Sequence, residues 1–124
     1  MSMQSFLNKK IIIFGSSIQG RTVFEILQTY NITPYCYIDN DEFKVGTKCN
    51  NLDHVPVKEL LNMDNYLVII PTIYYKSMYK QLMDMKIKKK NIIFFDFYYP
   101  EYNMYDIPYK FQFYLLMHKY FIKK

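Results

Sequence analysis

Lys10-Ile11-Ile12-Ile13-Phe14-Gly15-Ser16-Ser17-Ile18-Gln19-Gly20-Arg21 is the stretch whose reading decides the fold. Four consecutive apolar residues after two lysines have the pattern of a strand buried on both faces. Gly15 to Gly20 then reads as a turn. From Arg21 the period changes: Val23, Phe24, Ile26, Leu27 and Tyr30 fall on one helical face, and Asn31 ends the run. A buried strand, a glycine-bracketed turn and an amphipathic helix together make the first half of a βαβ unit.

Outward from this stretch the alternation continues. Pro34 opens a second strand, Tyr35-Cys36-Tyr37-Ile38, which stops at Asp39. Residues 40–54 are polar and carry Gly46, so they predict a loop. His54-Val55-Pro56-Val57 predicts a short edge strand, where proline is tolerated. Lys58 to Met63 predicts a short helix, and Tyr66-Leu67-Val68-Ile69-Ile70 a third buried strand stopped by Pro71. Ile73 to Met85 predicts a helix with Ile73, Tyr74, Met78, Leu82 and Met85 inward. The basic run 86–90 closes it favourably for the helix dipole. Ile92-Ile93-Phe94-Phe95 is the last strand. Strands alternating with helices imply right-handed βαβ crossovers. The expected class is α/β: a three-layer, Rossmann-like, mainly parallel sheet in the order 3-2-1-4-5, with the strand at 55–57 as strand 3.

This nucleotide-binding type of domain is expected to span residues 1–99, followed by a helical extension over residues 100–124. A helix is expected from Asp106 to Ile122, with Asp106 or Ile107 near its cap and Pro108 in its first turn. Phe111, Phe113, Tyr114, Leu115, Leu116, Met117, Tyr120 and Phe121 wrap nearly all round it, so something must cover it. A second copy of the chain is the preferred cover, giving a homodimer through the 106–122 helix. Folding back over the chain's own sheet stays open, and attachment to a membrane surface ranks third because the polar face is thin.

Composition narrows the classes. A chain of 124 residues has room for one packed core. Half of its residues are apolar and 19% aromatic, which argues against disorder. The net charge of +5 suits an anionic ligand such as a nucleotide. No basic stripe interleaved with stacking aromatics is present, so nucleic acid is not an expected partner. Cys36 and Cys49 have no metal-binding spacing, and no metal is expected. Met1 to Lys9 lacks the apolar centre of a signal peptide, and no apolar run is long enough to span a membrane. Reduced thiols and a cytoplasmic location are therefore expected.

The chain has three glycines, at 15, 20 and 46, and two of them bracket the turn Gly15-Ser16-Ser17-Ile18-Gln19-Gly20. Against the dinucleotide fingerprint GxGxxG this is GxSxxG, with Ser17 in the middle. Gly15 permits the tight turn off the strand, and Gly20 lets the helix lie close to the sheet. Backbone N–H groups of residues 17–20, at the positive end of the helix dipole, point where a phosphate would sit. The Ser17 side chain holds a pyrophosphate further out but offers it a hydroxyl.

Arg21, the only arginine, lies in the first helical turn, where a cation conflicts with the dipole unless an anion relieves it. Asp39 ends the second strand 19 residues after Gly20, where the fingerprint places an acid on the ribose hydroxyls. Asn40 follows it, and Asp41 and Glu42 would repel the 2′-phosphate of NADP. Pro71 and Thr72 follow the third buried strand across the switch point from the glycine loop. Each has a plainer reading: Arg21 as a solvated side chain, Asp39 as a turn former, Thr72 as a helix N-cap. No catalytic set assembles. The only Tyr-x-x-x-Lys match is Tyr120 with Lys124, and His54 and His118 are each more readily structural than catalytic.

The segments 13–21, 37–41, Gly46, 55–57 and 67–72 together resemble the Rossmann-like, "CoA-binding"-type domain of surface-polysaccharide enzymes. That group includes the N-terminal parts of nucleotide-sugar dehydratases and sugar-phosphate transferases. A similar start opens the nucleotide-sugar-binding domain of sugar N-acetyltransferases. The resemblance covers the first three-quarters of the chain. It implies that Gly15, Ser17, Gly20 and Arg21 hold phosphates and that Asp39 holds the ribose or base, with NAD or a nucleotide-sugar as ligand. In such proteins this domain precedes a catalytic module, whereas here one aromatic helix follows. The expected function is a stand-alone nucleotide-binding module in surface-glycan synthesis. The alternatives are a small enzyme acting on nucleotide-sugars and a non-binding oligomerisation module.

Overall fold

A computed structural model describes residues 8–29, 31–71 and 75–94. In chain order its elements are β1 (Lys10–Phe14), α1 (Ile18–Thr29), β2 (Cys36–Asp39), β3 (Lys48–Cys49) and β4 (Leu52–Pro56). A 3-10 turn (Val57–Asn62), β5 (Tyr66–Ile70), α2 (Tyr75–Asp84), a second 3-10 turn (Lys89–Asn91) and β6 (Ile92–Phe94) complete them. The expected aromatic helix, the dimer it would make, and Tyr30, Thr72, Ile73, Tyr74 and Phe95 lie outside the described residues.

One sheet runs β3-β4-β2-β1-β5-β6. Five neighbouring strands are parallel, with Ile12 opposite Cys36 and Val68, and Val68 opposite Ile92. Here the expectation needs correcting. The sheet has six strands and is mixed, because β3 pairs antiparallel with β4 at the edge. The supposed loop over residues 40–54 contains a hairpin, and the edge strand runs Leu52–Pro56, leaving Val57 to the 3-10 turn. The physical cause lies in Asn50 and Asn51, both in the left-handed region at φ 53° and 65°. Two such residues form a type I′ turn, whose twist matches that of the flanking strands.

The start of α1 is also earlier than expected. Ile18, Gln19 and Gly20 are helical, and the Arg21 N–H donates to the Ser17 carbonyl at 2.9 Å, which makes Ser17 the N-cap position. At its far end the Asn31 N–H donates to the Gln28 carbonyl and the Ile32 N–H to the Leu27 carbonyl, with Asn31 at φ 61°. This is a Schellman cap. α2 ends in the same way, with Lys86 at φ 67° where glycine is favoured.

Both faces of the sheet are covered. α1 sets Val23 and Leu27 against Ile11, Ile13, Tyr37, Leu67 and Ile69. The other face packs Ile12, Ile38, Val68 and Ile70 with Val57 and Leu60 of the first 3-10 turn and Tyr75 and Leu82 of α2. Every residue of β5 is buried, as a central parallel strand requires. Among the described residues no helix is long and apolar enough to cross a membrane.

Candidate nucleotide site

Gly15 leaves β1 at φ 91°, a conformation that side chains resist, and its N–H donates to the Ile38 carbonyl at 2.8 Å. The turn is thereby pinned to β2. A Cβ on Gly20 would overlap the carbonyl oxygen of Gly15 and meet Ile13 Cγ2 at 3.5 Å. The two glycines thus act together: one turns the chain and the other lets α1 start directly against the turn. The first N–H groups of α1 have no partner within the helix and carry its positive end.

A cavity of about 520 Å³ opens beside this turn, lined by Ser16, Ser17, Ile18, Gln19, Arg21 and Lys44. Arg21 and Lys44 put two cations on its rim. Ile18 is 73% exposed there, and Phe43, on the neighbouring loop, is 92% exposed. Lys44 also lies 4.0 Å from Asp39 Oδ2. The other Asp39 oxygen accepts the Asp41 N–H at 2.9 Å, so this carboxylate both shapes the loop after β2 and neutralises a rim cation. Asp39 and Asn40 line a second cavity of about 470 Å³ with Val57, Leu61, Gln81 and Met85. Asn40 and Gln81 exchange two amide hydrogen bonds, at 2.8 and 2.9 Å, which tie that loop to α2. Pro71 is buried at the end of β5, and Thr72 lies outside the described residues.

Behind the glycine turn is a buried polar network that sequence reasoning missed. Ser16 Oγ lies 2.6 Å from His54 Nε2, and His54 is 4% exposed. His54 Nδ1 faces both the carbonyl and the hydroxyl oxygen of Thr47, each at 3.2 Å. The imidazole stacks on Tyr37, centroids 5.4 Å apart, and the Tyr37 hydroxyl donates to Asn50 Oδ1 at 2.7 Å. Burial, and after it the neighbouring Cys49, pushes the Tyr37 phenol upward, so it stays a neutral donor. Only the hairpin brings Thr47 and Asn50 to this place. A type I′ reading of Asn50-Asn51 was the one signal in the sequence that pointed to it.

The mainly parallel sheet covered on both faces and the glycine turn at the head of α1 define a Rossmann-like α/β domain. The chain matches the C2185-like, N-terminal family over residues 7–93 and belongs to it. Among solved structures it is similar to UDP-D-quinovosamine 4-dehydrogenase from Vibrio fischeri. That match has 18% identity and a TM-score of 0.55, and covers 72% of this chain and 77% of the other. At that identity the likeness speaks for the fold. No curated protein matches the sequence.

Proposed function

We propose that this domain binds a nucleotide, NAD(H) or a nucleotide-sugar, through the Gly15–Gly20 turn, and that it serves surface-glycan synthesis as a binding module. The observation that carries this reading is the direct approach of Gly20 to the Gly15 carbonyl beside a cavity rimmed by Arg21 and Lys44. A pyrophosphate fits that place for three reasons: unpartnered helix N–H groups, the helix dipole, and two cations converge on it. The solved neighbour is by name a dehydrogenase of a UDP-sugar, which supports the choice of ligand class. Asp39 would take ribose hydroxyls on the oxygen it now shares with Lys44.

Calorimetric titration with NAD⁺, NADH, UDP-sugars and coenzyme A tests the reading. Binding by at least one is expected in the micromolar to low millimolar range. Arg21→Ala should weaken it by about 1.5–3 kcal/mol, the worth of a hydrogen bond to a charged group. No heat from any of the four at millimolar concentration refutes it.

A further inference from the structure

We infer that His54 is a positioning residue for the glycine turn and that it links ligand binding to proton uptake. This inference rests on the phosphate-binding reading of the turn.

The hydrogen-bond network assigns the imidazole tautomer. The Thr47 hydroxyl has one proton, and it goes to the Lys44 carbonyl at 2.6 Å. Both Thr47 oxygens facing His54 Nδ1 are therefore acceptors, so Nδ1 carries a hydrogen. In the neutral ring Nε2 is then the acceptor, and it takes the Ser16 hydroxyl proton at 2.6 Å. In that state Ser16, although it lines the cavity beside the turn, has no proton to offer an anion.

Protonation of the ring reverses one bond and breaks none. Nδ1 still donates to Thr47, Nε2 now donates to Ser16 Oγ, and the Ser16 hydroxyl hydrogen is released toward the cavity. The ring keeps the same three partner atoms in both states, so the exchange needs no rearrangement of the hairpin. With its hydrogen turned toward the cavity, Ser16 can donate to an anion there, so the proton and an anionic ligand favour each other. The surrounding titratable groups are Tyr37 from β2, Cys49 from β3, and Arg21 and Glu25 from α1, which act on the Tyr37 hydroxyl. Lys44 and Asp39 face the turn from the loop after β2. Tyr37, stacked on the ring, is held neutral by burial, so its phenol supplies no countercharge.

The test uses NAD⁺ and UDP-glucose, pyrophosphate diesters whose own charge is constant over the range needed. Affinity for the intact chain should be about tenfold higher near pH 5.5 than near pH 8, the size of one charge-assisted hydrogen bond. Calorimetry in buffers of different ionisation enthalpy should show proton uptake, and His54→Gln should abolish it. Ser16→Ala, a milder change, should shrink the pH dependence if His54→Gln fails to fold. The ring ¹⁵N spectrum of the free protein near neutral pH should show the Nδ1–H form. Binding without pH dependence, undiminished proton uptake in His54→Gln, or an Nε2–H ring overturns this inference alone. If neither probe binds at any pH, the phosphate-binding reading falls and takes this one with it.

Discussion

Replacing Gly20 by alanine sets two effects against each other, and the structure decides the sign. In a helix with free space at this position, Gly→Ala stabilises by about 1 kcal/mol. Here the added Cβ would overlap the Gly15 carbonyl oxygen and lie 3.0 Å from its carbon. Both are backbone atoms, so no rotamer change relieves the overlap. The turn cannot yield either, because Gly15 is bonded to Ile38 and sits at φ 91°. α1 must therefore lift from the sheet, loosening Val23 and Leu27, which are 1% and 0% exposed. Overpacking of this kind costs typically about 1–3 kcal/mol, and a clash between two backbones belongs at or beyond the upper end. After the propensity gain is subtracted, about 2 kcal/mol of destabilisation remains. That corresponds to a fall in Tm of roughly 8–16 °C for a small domain. Thermal and urea unfolding followed by circular dichroism measure it directly. A Gly20→Ala chain as stable as the parent, or more so, would refute the close approach of helix and turn and with it the geometry of the candidate site.

Other consequences are simpler. Lys86 occupies the left-handed cap position after α2 and makes no cap bond that needs its side chain, so Lys86→Gly should raise stability by up to about 1 kcal/mol in urea unfolding. Burial, aided by Asp53, pushes the Cys36 thiol from its ordinary 9.0 up to about 12. Between those values the unfolded chain sheds a proton that the native chain keeps, so stability falls as pH rises, by up to about 1.4 kcal/mol per pH unit from this group. Cys36→Ala should flatten that fall, with Tyr37 and Tyr66, also raised by burial, supplying the remainder. For the same reason a thiol reagent near pH 8 should label half-buried Cys49 and leave Cys36 untouched until the chain unfolds.

Much of the fold was legible because its signals are local. Ile11 to Phe14 and Tyr66 to Ile70 are apolar without interruption, and such runs have one use in a chain of this length: parallel strands covered on both faces. Gly15 and Gly20 stood out because glycine is scarce here, and the overlap at Gly20 gives the physical reason for the second. The early start of α1 was missed because a glycine at the third helical position imitates a turn when its packing partner is unseen. The hairpin was missed for a different reason: its strands are two and five residues long and carry lysine, aspartate and histidine in place of an apolar alternation. Its polar residues face partners that only the folded sheet supplies.

That hairpin changes what the candidate site consists of. The glycine turn alone explains where a phosphate would lie, but not how the turn is held from behind. Ser16 is fixed by His54, whose ring is fixed by Thr47, and Thr47 is placed by two backbone bonds at the mouth of the hairpin: Gly46 N–H to the His54 carbonyl and His54 N–H to the Thr47 carbonyl. Gly46 makes the first possible at φ 89°, and the loop it closes carries Lys44 to the cavity rim. The third glycine, which in the sequence only marked a loop, therefore sets both the cation in front of the turn and the histidine behind it. The antiparallel edge strand is the element that joins these two, because the pairing of Lys48 with Asp53 and Cys49 with Leu52 continues the ladder that sets residues 46 and 47 against residue 54.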